Sequence, residues 1–201
     1  MRPSYPGIIV VGTLTGRSDI PIVAAVRSAD DAGHYAAALQ VATLVTLVAS
    51  YYGVVMQPRI LQLSRDRTLK VALRRNVIAA LLVSGLVAAG AVWILPAMLP
   101  ALFGARYGAA LPIAQVLLIG TCFDLFSMPI MMVYAIQRFP KAMLIGEVAI
   151  GLVFFWVAFD MADTSVLAMA WLVTAVRLTK LGIYAAITLR GESPPRGFTL
   201  R

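Results

Sequence analysis

Five charged residues lie deep inside apolar stretches of this sequence, where charged side chains are rare. A charge at the centre of a membrane helix costs at least about 2.5–3.5 kcal/mol on insertion scales, so such residues face protein or a water-filled cavity. Arginine can offer forked hydrogen bonds to a phosphate or a carboxylate, and a carboxylate can pair with a cation. We therefore treat these residues as candidates for the lining of a substrate cavity. They are Arg17, Asp19, Asp124, Arg177 and Lys180.

Two interpretations of this set stay open at the level of sequence. In the first, the charges form ion pairs between helices, for example Asp19 or Asp124 with Arg177, and only hold a bundle together. In the second, they line a polar cavity in which three cations exceed two carboxylates by one charge. Such a surplus would suit an anionic headgroup such as a phosphate or a pyrophosphate. Both can hold, because a resting ion pair can open to admit a substrate.

The elements that must position these residues follow from composition. The chain has 201 residues, of which 61% are hydrophobic, and a mean hydropathy of +0.87. Soluble domains are only about 45–50% apolar. Six apolar stretches, each near the roughly 20 residues that cross a bilayer as a helix, predict an all-α integral membrane protein with six transmembrane helices over residues 1–189. The spans are expected at about 7–26, 34–56, 76–95, 112–135, 142–159 and 165–189.

The connections between the spans differ in character. Pro58 is expected to end the second helix, and residues 57–75 then form a basic amphipathic linker on the inner headgroup region, with a partner-docking segment as the alternative. An external loop is expected from Met98 to Pro112, and a tail at 190–201. Glu147 is expected to reach the membrane interface or Lys141, as a structural residue.

The distribution of positive charge predicts the orientation. Of the 17 Lys and Arg residues, 12 fall on one side of the predicted spans and 2 on the other. The positive-inside rule places both termini in the cytoplasm. The formal net charge of +8 could indicate a nucleic-acid partner. Because the basic residues form a strip on one side of the spans, anionic membrane lipids account for them, and we expect no nucleic-acid partner.

Motifs for catalysis are missing from the sequence. It has no glycine-rich phosphate loop, HExxH, CxxC or spaced Ser/His/Asp set. The single histidine, His34, is read as a turn residue at headgroup level, since a zinc site needs three or four ligands. The single cysteine, Cys122, is read as a small packing residue. We expect no enzymatic activity, cofactor or metal site.

Several motifs occur in an order that resembles a known family. An aspartate-bearing first span contains Arg17-Ser-Asp19, and the external turn continues as Gly33-His-Tyr35-Ala-Ala-Ala38. The second span leads into Pro58-Arg59, and a later segment reads Leu102-Phe-Gly104-Ala-Arg-Tyr107. Over roughly residues 14–150, the chain resembles the C-terminal six-helix lobe of Wzx-type polysaccharide flippases. These belong to the superfamily that includes multidrug and toxin extruders.

The resemblance implies a function and a setting. Members of this family are expected to flip undecaprenyl-pyrophosphate-linked oligosaccharides, such as O-antigen units, across the bacterial cytoplasmic (inner) membrane. They do so through a cavity between two six-helix lobes. Because this chain resembles only one lobe, a second six-helix lobe or a homo-oligomer is expected as its partner. The alternatives are a lobe of an ion-coupled multidrug-type extruder, with Asp19 and Asp124 as coupling carboxylates, and a non-transporting scaffold or truncated product.

Overall fold

The protein is built from helices in every part of the chain that the structure, a computed structural model, describes: residues 16–65, 69–137 and 141–189. No strand occurs in these ranges, so the all-α prediction is confirmed for them. In chain order the elements are α1 (Asp19–Val26), α2 (Ala29–Arg65), α3 (Leu69–Trp93), α4 (Leu95–Phe103), a 3-10 helix (Ala105–Ala109), α5 (Ala110–Gln137), α6 (Lys141–Thr164) and α7 (Val166–Leu189).

Four stretches of the described helices are long and apolar enough to cross a bilayer. They are Arg75–Trp93, Ala105–Met131, Met143–Thr164 and Val166–Ile187. Several apolar helices of this length in the described residues fit an all-α membrane protein. The count of six spans and the arrangement as one lobe of a two-lobe transporter stay predictions. Residues 1–15, which include 7–15 of the first predicted span, and the predicted tail at 190–201 lie outside the described residues.

The connection after the second predicted span differs from expectation. α2 continues past Pro58 to Arg65, so the prediction that Pro58 ends this helix is wrong. A proline removes one backbone hydrogen bond and crowds the preceding turn, but the hydrogen bonds on either side are kept, and a helix of 37 residues can continue through it. Within the described residues, segment 57–75 therefore extends α2 and begins α3 instead of forming a separate helix. Residues 66–68 of the predicted linker lie outside them.

The predicted external loop is also more ordered in structure than expected. The segment Leu95–Phe103 forms α4, and a 3-10 helix follows it directly. Gly104 separates the two with a φ of 92°, a backbone conformation that is strained for residues with a Cβ atom. The chain can therefore reverse between two short helices without a long irregular loop.

The core lies at the end of the bundle where α1 meets α2 and α6 meets α7, which we call the outer half. α5 is central and packs against α2, α3 and α7, while α1 packs against α2 and α6. One continuous hydrophobic cluster in the outer half includes the fully buried Leu99, Leu117, Phe154 and Met169. Toward the other end, Met143 and Tyr184 form a separate small cluster. The charged residues within the helices lie next to this large core and toward the small cluster of Met143 and Tyr184.

Candidate functional site

Asp19 is held in a closed environment between α1 and α2. Its side chain is 2% exposed. The hydroxyl of Tyr35 donates a hydrogen bond to Asp19 Oδ2 at 2.9 Å, and the backbone N–H of Ile20 donates to Oδ1 at 2.9 Å. A carboxylate in the first turn of a helix also interacts favourably with the helix dipole. Both oxygens are thus bonded, and Asp19 fixes the short helix α1 to α2.

Arg177 joins α7 to α5 at the centre of the charged set. Its Nε lies 3.3 Å from Asp124 Oδ2. Its Nη1 donates to Thr121 Oγ1 at 2.9 Å and to the carbonyl oxygen of Leu117 at 3.3 Å. The Asp124 side chain is 37% exposed and that of Arg177 16%. Arg177 also has a longer-range electrostatic interaction with Asp19.

A glycine makes room for this arginine. A Cβ atom added to Gly120 would lie 2.8 Å from Thr174 Oγ1 and 3.2 Å from Arg177 Cδ, both closer than ordinary contact. Thr174 Oγ1 donates across the same interface to the carbonyl oxygen of Val116 at 3.0 Å. Gly120 therefore lets α7 approach α5 closely, as small residues do between membrane helices. A lone glycine within an apolar helix was the available sequence signal for this contact.

Lys180 forms an ion pair with Glu147, which the sequence pattern assigned to the membrane interface or to Lys141. Its Nζ lies 2.7 Å from Glu147 Oε2, and Glu147 is 4% exposed. The hydroxyl of Tyr184 donates to the other carboxylate oxygen of Glu147. Glu147 is therefore buried between α6 and α7, and the expectation that it serves the membrane interface is wrong. The spacing of Arg177, Lys180 and Tyr184 (i, i+3, i+7) places all three on one face of α7.

Arg17 is not part of this assembly. Its side chain is exposed, although Asp19 two residues later is buried. Ser18 between them keeps a helical backbone conformation, and two residues correspond to about 200° around a helix axis. The two side chains therefore point in nearly opposite directions, which explains why only one of them joins the interior.

The assembled residues alternate in sign, and we call them the charged cluster. It contains Asp19, Arg177, Asp124, Lys180 and Glu147, each interacting with the next. With every member ionised, three carboxylates face two cations. The expected surplus of one positive charge is therefore replaced by a formal surplus of one negative charge, because Arg17 is outside and Glu147 is inside.

The Arg177–Asp124 pair of the charged cluster lies deep relative to the helix ends. At about 1.5 Å per residue, Arg177 is about 17 Å from the first residue of α7, and Asp124 is about 21 Å from the first residue of α5. Glu147 lies nearer a helix end, about 9 Å from the first residue of α6 by the same rise. The Asp124 carboxylate is partly exposed at this depth, so it needs water or a polar partner beside it. Asp124 therefore marks a place where the bundle does not face lipid.

A second contact joins two distant motifs at the outer end. His34 Nε2 lies 3.2 Å from the backbone carbonyl oxygen of Arg106. The His34 ring meets the Tyr107 ring edge-on with centroids 5.5 Å apart, and the Arg106 guanidinium lies 5.0 Å from the Tyr107 ring centroid. These residues clasp the start of α2 to the 3-10 helix. The motif at 33–35 lies within α2, so the prediction that His34 is a turn residue is wrong. This motif and the motif at 104–107 meet in space.

Groups suited to metal or thiol chemistry do not assemble in the described ranges. No group of three or more His, Cys, Asp or Glu residues that could hold a metal ion occurs among these residues. Cys122 is buried, where its thiol donates to the Ser84 carbonyl oxygen at 3.4 Å and Ser84 Oγ donates to the Cys122 carbonyl oxygen at 3.4 Å. This reciprocal pair fastens α3 to α5.

Comparison with known proteins identifies no relative. No protein family, curated protein or solved structure matches this chain.

Proposed function

We propose that this chain is one lobe of a membrane transport protein that flips a lipid-linked oligosaccharide for cell-surface polysaccharide synthesis. The observation that carries the proposal is the Arg177–Asp124 pair, which is partly exposed and far from both ends of its helices. An ion pair with a purely structural role needs no such opening. The order of the Asp19, Gly33-His-Tyr35 and Gly104-Ala-Arg-Tyr107 motifs supports the choice of substrate class.

The proposed chemistry is an exchange of partners at Arg177. A pyrophosphate oxygen can accept the forked hydrogen bonds of the guanidinium in place of Asp124 Oδ2. Asp124 then relies on Lys180, with which it already interacts electrostatically. Because the charged cluster carries more carboxylates than cations, binding of an anionic headgroup favours uptake of a proton or another cation. Substrate binding and cation binding would thus be linked.

A second lobe completes the proposed cavity. Asp124 and Arg177 supply one polar wall, and a cavity that admits a lipid-linked sugar needs a wall opposite. We propose that another six-helix lobe, or a second copy of this chain, provides it. The proposed setting is the bacterial cytoplasmic membrane, with both termini in the cytoplasm.

The test is replacement of the native gene by Arg177→Gln, with Arg75→Gln as the matched control. Both variants remove one arginine charge, but Arg75 is exposed in α3, outside the charged cluster. We expect Arg177→Gln to abolish surface polysaccharide and to retain lipid-linked oligosaccharide on the inner leaflet, while the amount of protein in the membrane stays unchanged. Normal surface polysaccharide with Arg177→Gln would reject the proposal.

The three carboxylates of the charged cluster favour a second candidate, a lobe of a cation-coupled exporter of small molecules. Here Asp124→Asn would abolish export of a lipophilic cationic dye driven by a proton or sodium gradient. Asp160→Asn, at an exposed position near the end of α6, is the matched charge-removing control. Gradient-driven dye export together with normal surface polysaccharide in Arg177→Gln would favour this candidate over the first.

A further inference from the structure

The segment between α3 and the 3-10 helix combines a position in the outer half of the bundle with an entirely apolar sequence. Residues 93–103 read WILPAMLPALF, and the next charged residue is Arg106. α4 occupies nine residues of this segment, about 13 Å of helix, which is far too short to cross a bilayer. Apolar helices of this length are either buried in protein or lie at the membrane surface.

Only one side of α4 is buried in the protein. Leu95 and Leu99, one helical turn apart, are 2% and 0% exposed and belong to the large core of the outer half. On the other side, Leu102 is 62% exposed and the neighbouring Ile94 is 62% exposed. Trp93, at the end of α3, is 81% exposed. In water these side chains would form an uncovered apolar patch where α3 joins α4 and along α4.

We infer that α4 is an interfacial helix whose exposed side lies in the lipid of the outer-half leaflet, at the boundary between acyl chains and headgroups. The exposed patch continues directly from the surface of α3, where Leu82, Leu86 and Val92 are also exposed. That surface belongs to a segment able to cross the membrane, so lipid covers it. The same lipid then meets Ile94 and Leu102 without a break.

The residue types at the two ends of this patch match the boundary region. Tryptophan has a large apolar ring and one N–H donor, and it concentrates at membrane–water interfaces. Arg106, two residues beyond α4, is exposed with its guanidinium over the Tyr107 ring, where it can reach lipid phosphates. Trp93 and Arg106 therefore bracket α4 with groups that favour the headgroup level.

This placement gives α4 a definite role. Its buried leucines pack into the same core as α5 and α7, and its exposed leucine and isoleucine contact lipid. α4 therefore fixes the depth of the outer end of the bundle, and with it the depth of the charged cluster. The inference depends on membrane insertion of α3 and α5 and is independent of the transported substrate.

Tryptophan fluorescence in proteoliposomes tests the inference. The protein with Trp156→Phe and Trp171→Phe keeps Trp93 and leaves α4 unaltered. A second reporter carries Leu102→Trp in a background with all three native tryptophans changed to phenylalanine. An Asp163→Trp reporter in that background, at an exposed position near the end of α6, is the water-accessible control, and Leu152→Trp, exposed on α6, is the deep control.

The vesicles contain phosphatidylcholine and phosphatidylglycerol brominated at acyl positions 6,7 or 11,12, with iodide on both faces in parallel samples. We expect the Trp93 and Leu102→Trp reporters to be quenched at least twofold more by the 6,7-bromolipid than by the 11,12-bromolipid. Iodide quenching should be several-fold weaker than for the Asp163→Trp reporter.

Iodide quenching equal to that control, without bromolipid quenching, would place α4 in water and overturn the inference. Absence of both kinds of quenching would show that protein covers α4, such as a second copy of the chain, and would also overturn it. The reporter with native Trp93 gives these outcomes even if Leu102→Trp does not fold.

Discussion

Arg177 bridges two helices through Asp124, Thr121 and the carbonyl oxygen of Leu117. Each of these partners belongs to α5, so a single side chain anchors the centre of α7 to the centre of the bundle. The structural and transport interpretations of this residue differ in what its removal does. A structural pair can be exchanged for another matched pair, whereas a substrate-binding arginine cannot be exchanged without loss of transport.

The first prediction concerns the coupling between Arg177 and Asp124. Arg177→Gln should lower the free energy of unfolding by about 1–3 kcal/mol, because it leaves the Asp124 carboxylate without its closest cation. Adding Asp124→Asn should cost much less than the sum of the two single changes. Thermal unfolding in detergent, followed by circular dichroism, measures both effects.

Strict additivity of the two changes would contradict the ion pair. A variant carrying Arg177→Asp and Asp124→Arg separates the two interpretations of its role. If the variant regains stability but makes no surface polysaccharide, the pair takes part in transport. If it regains both stability and surface polysaccharide, the pair has a purely structural role.

The second prediction ranks two ion pairs by burial. Lys180→Met should be more damaging than Arg177→Gln, because Glu147 is 4% exposed and the Asp124 side chain 37%. A charge left unpaired in a buried site costs about 3–5 kcal/mol, and solvent reduces this cost where the group is partly exposed. The same unfolding measurement tests the ranking. Equal destabilisation by the two variants would show that both carboxylates reach water to the same extent.

At the scale of elements, close approach of α5 and α7 determines where the charges meet. The helix crossing depends on Gly120, since any Cβ atom there would contact Thr174 and Arg177 at less than ordinary distance. The outer half adds two further fasteners, the Tyr35–Asp19 hydrogen bond and the clasp between His34 and the 3-10 helix. The hydrogen bond fixes α1, and with it Asp19, to the next helix α2, whereas the clasp connects α2 to an element distant in sequence.

The third prediction concerns this helix crossing. Gly120→Ala should destabilise the protein by about 1–3 kcal/mol, the usual cost of overpacking a tight contact. Gly85→Ala is the matched control, because a Cβ atom at Gly85 in α3 meets nothing within 4 Å. The control should be neutral or stabilising by up to about 1 kcal/mol, since alanine favours helix. An equally tolerated Gly120→Ala would contradict the close approach of α5 and α7.

At the scale of the whole molecule, a dense core in the outer half and a deep charged cluster divide the bundle into two regions. The core seals the end that carries α1 and α4, while the Asp124 side chain is exposed further along α5. Such a division matches a proposed path that is closed at the outer end in this conformation. The direction of the path across the membrane depends on the predicted orientation.

The fourth prediction tests that orientation. Single cysteines are introduced by Asp163→Cys, near the end of α6, and by Ser193→Cys, in the predicted tail. Native Cys122 is buried and is changed to serine to remove background. A membrane-impermeant maleimide should label the Asp163→Cys variant in intact cells and the Ser193→Cys variant only after permeabilisation. The opposite pattern would invert the predicted topology, and labelling of both variants in intact cells would indicate an even number of spans between them.

Apolar patterning alone determined the fold class and the positions of several helices. The predicted spans at 112–135 and 165–189 correspond to α5 and α7 within about two residues, because an apolar run of membrane length can satisfy its backbone only as a helix. The same reasoning identified Asp19, Asp124, Arg177 and Lys180 as charges that need shelter. It failed at Pro58, where it treated a local helix breaker as decisive within a much longer helix.

Only the tertiary structure decided which charges meet. Periodicity gives the depth of a side chain and its face on one helix, but the neighbour opposite that face depends on how helices pack. Arg17 and Glu147 show the consequence, since the first is exposed and the second is buried against Lys180 and Tyr184. Exchanging these two residues changes the formal charge of the interior from one positive to one negative. The sequence thus determined that charged residues lie within the apolar helices. Packing decided which of them meet, and therefore the sign of the net charge of the interior.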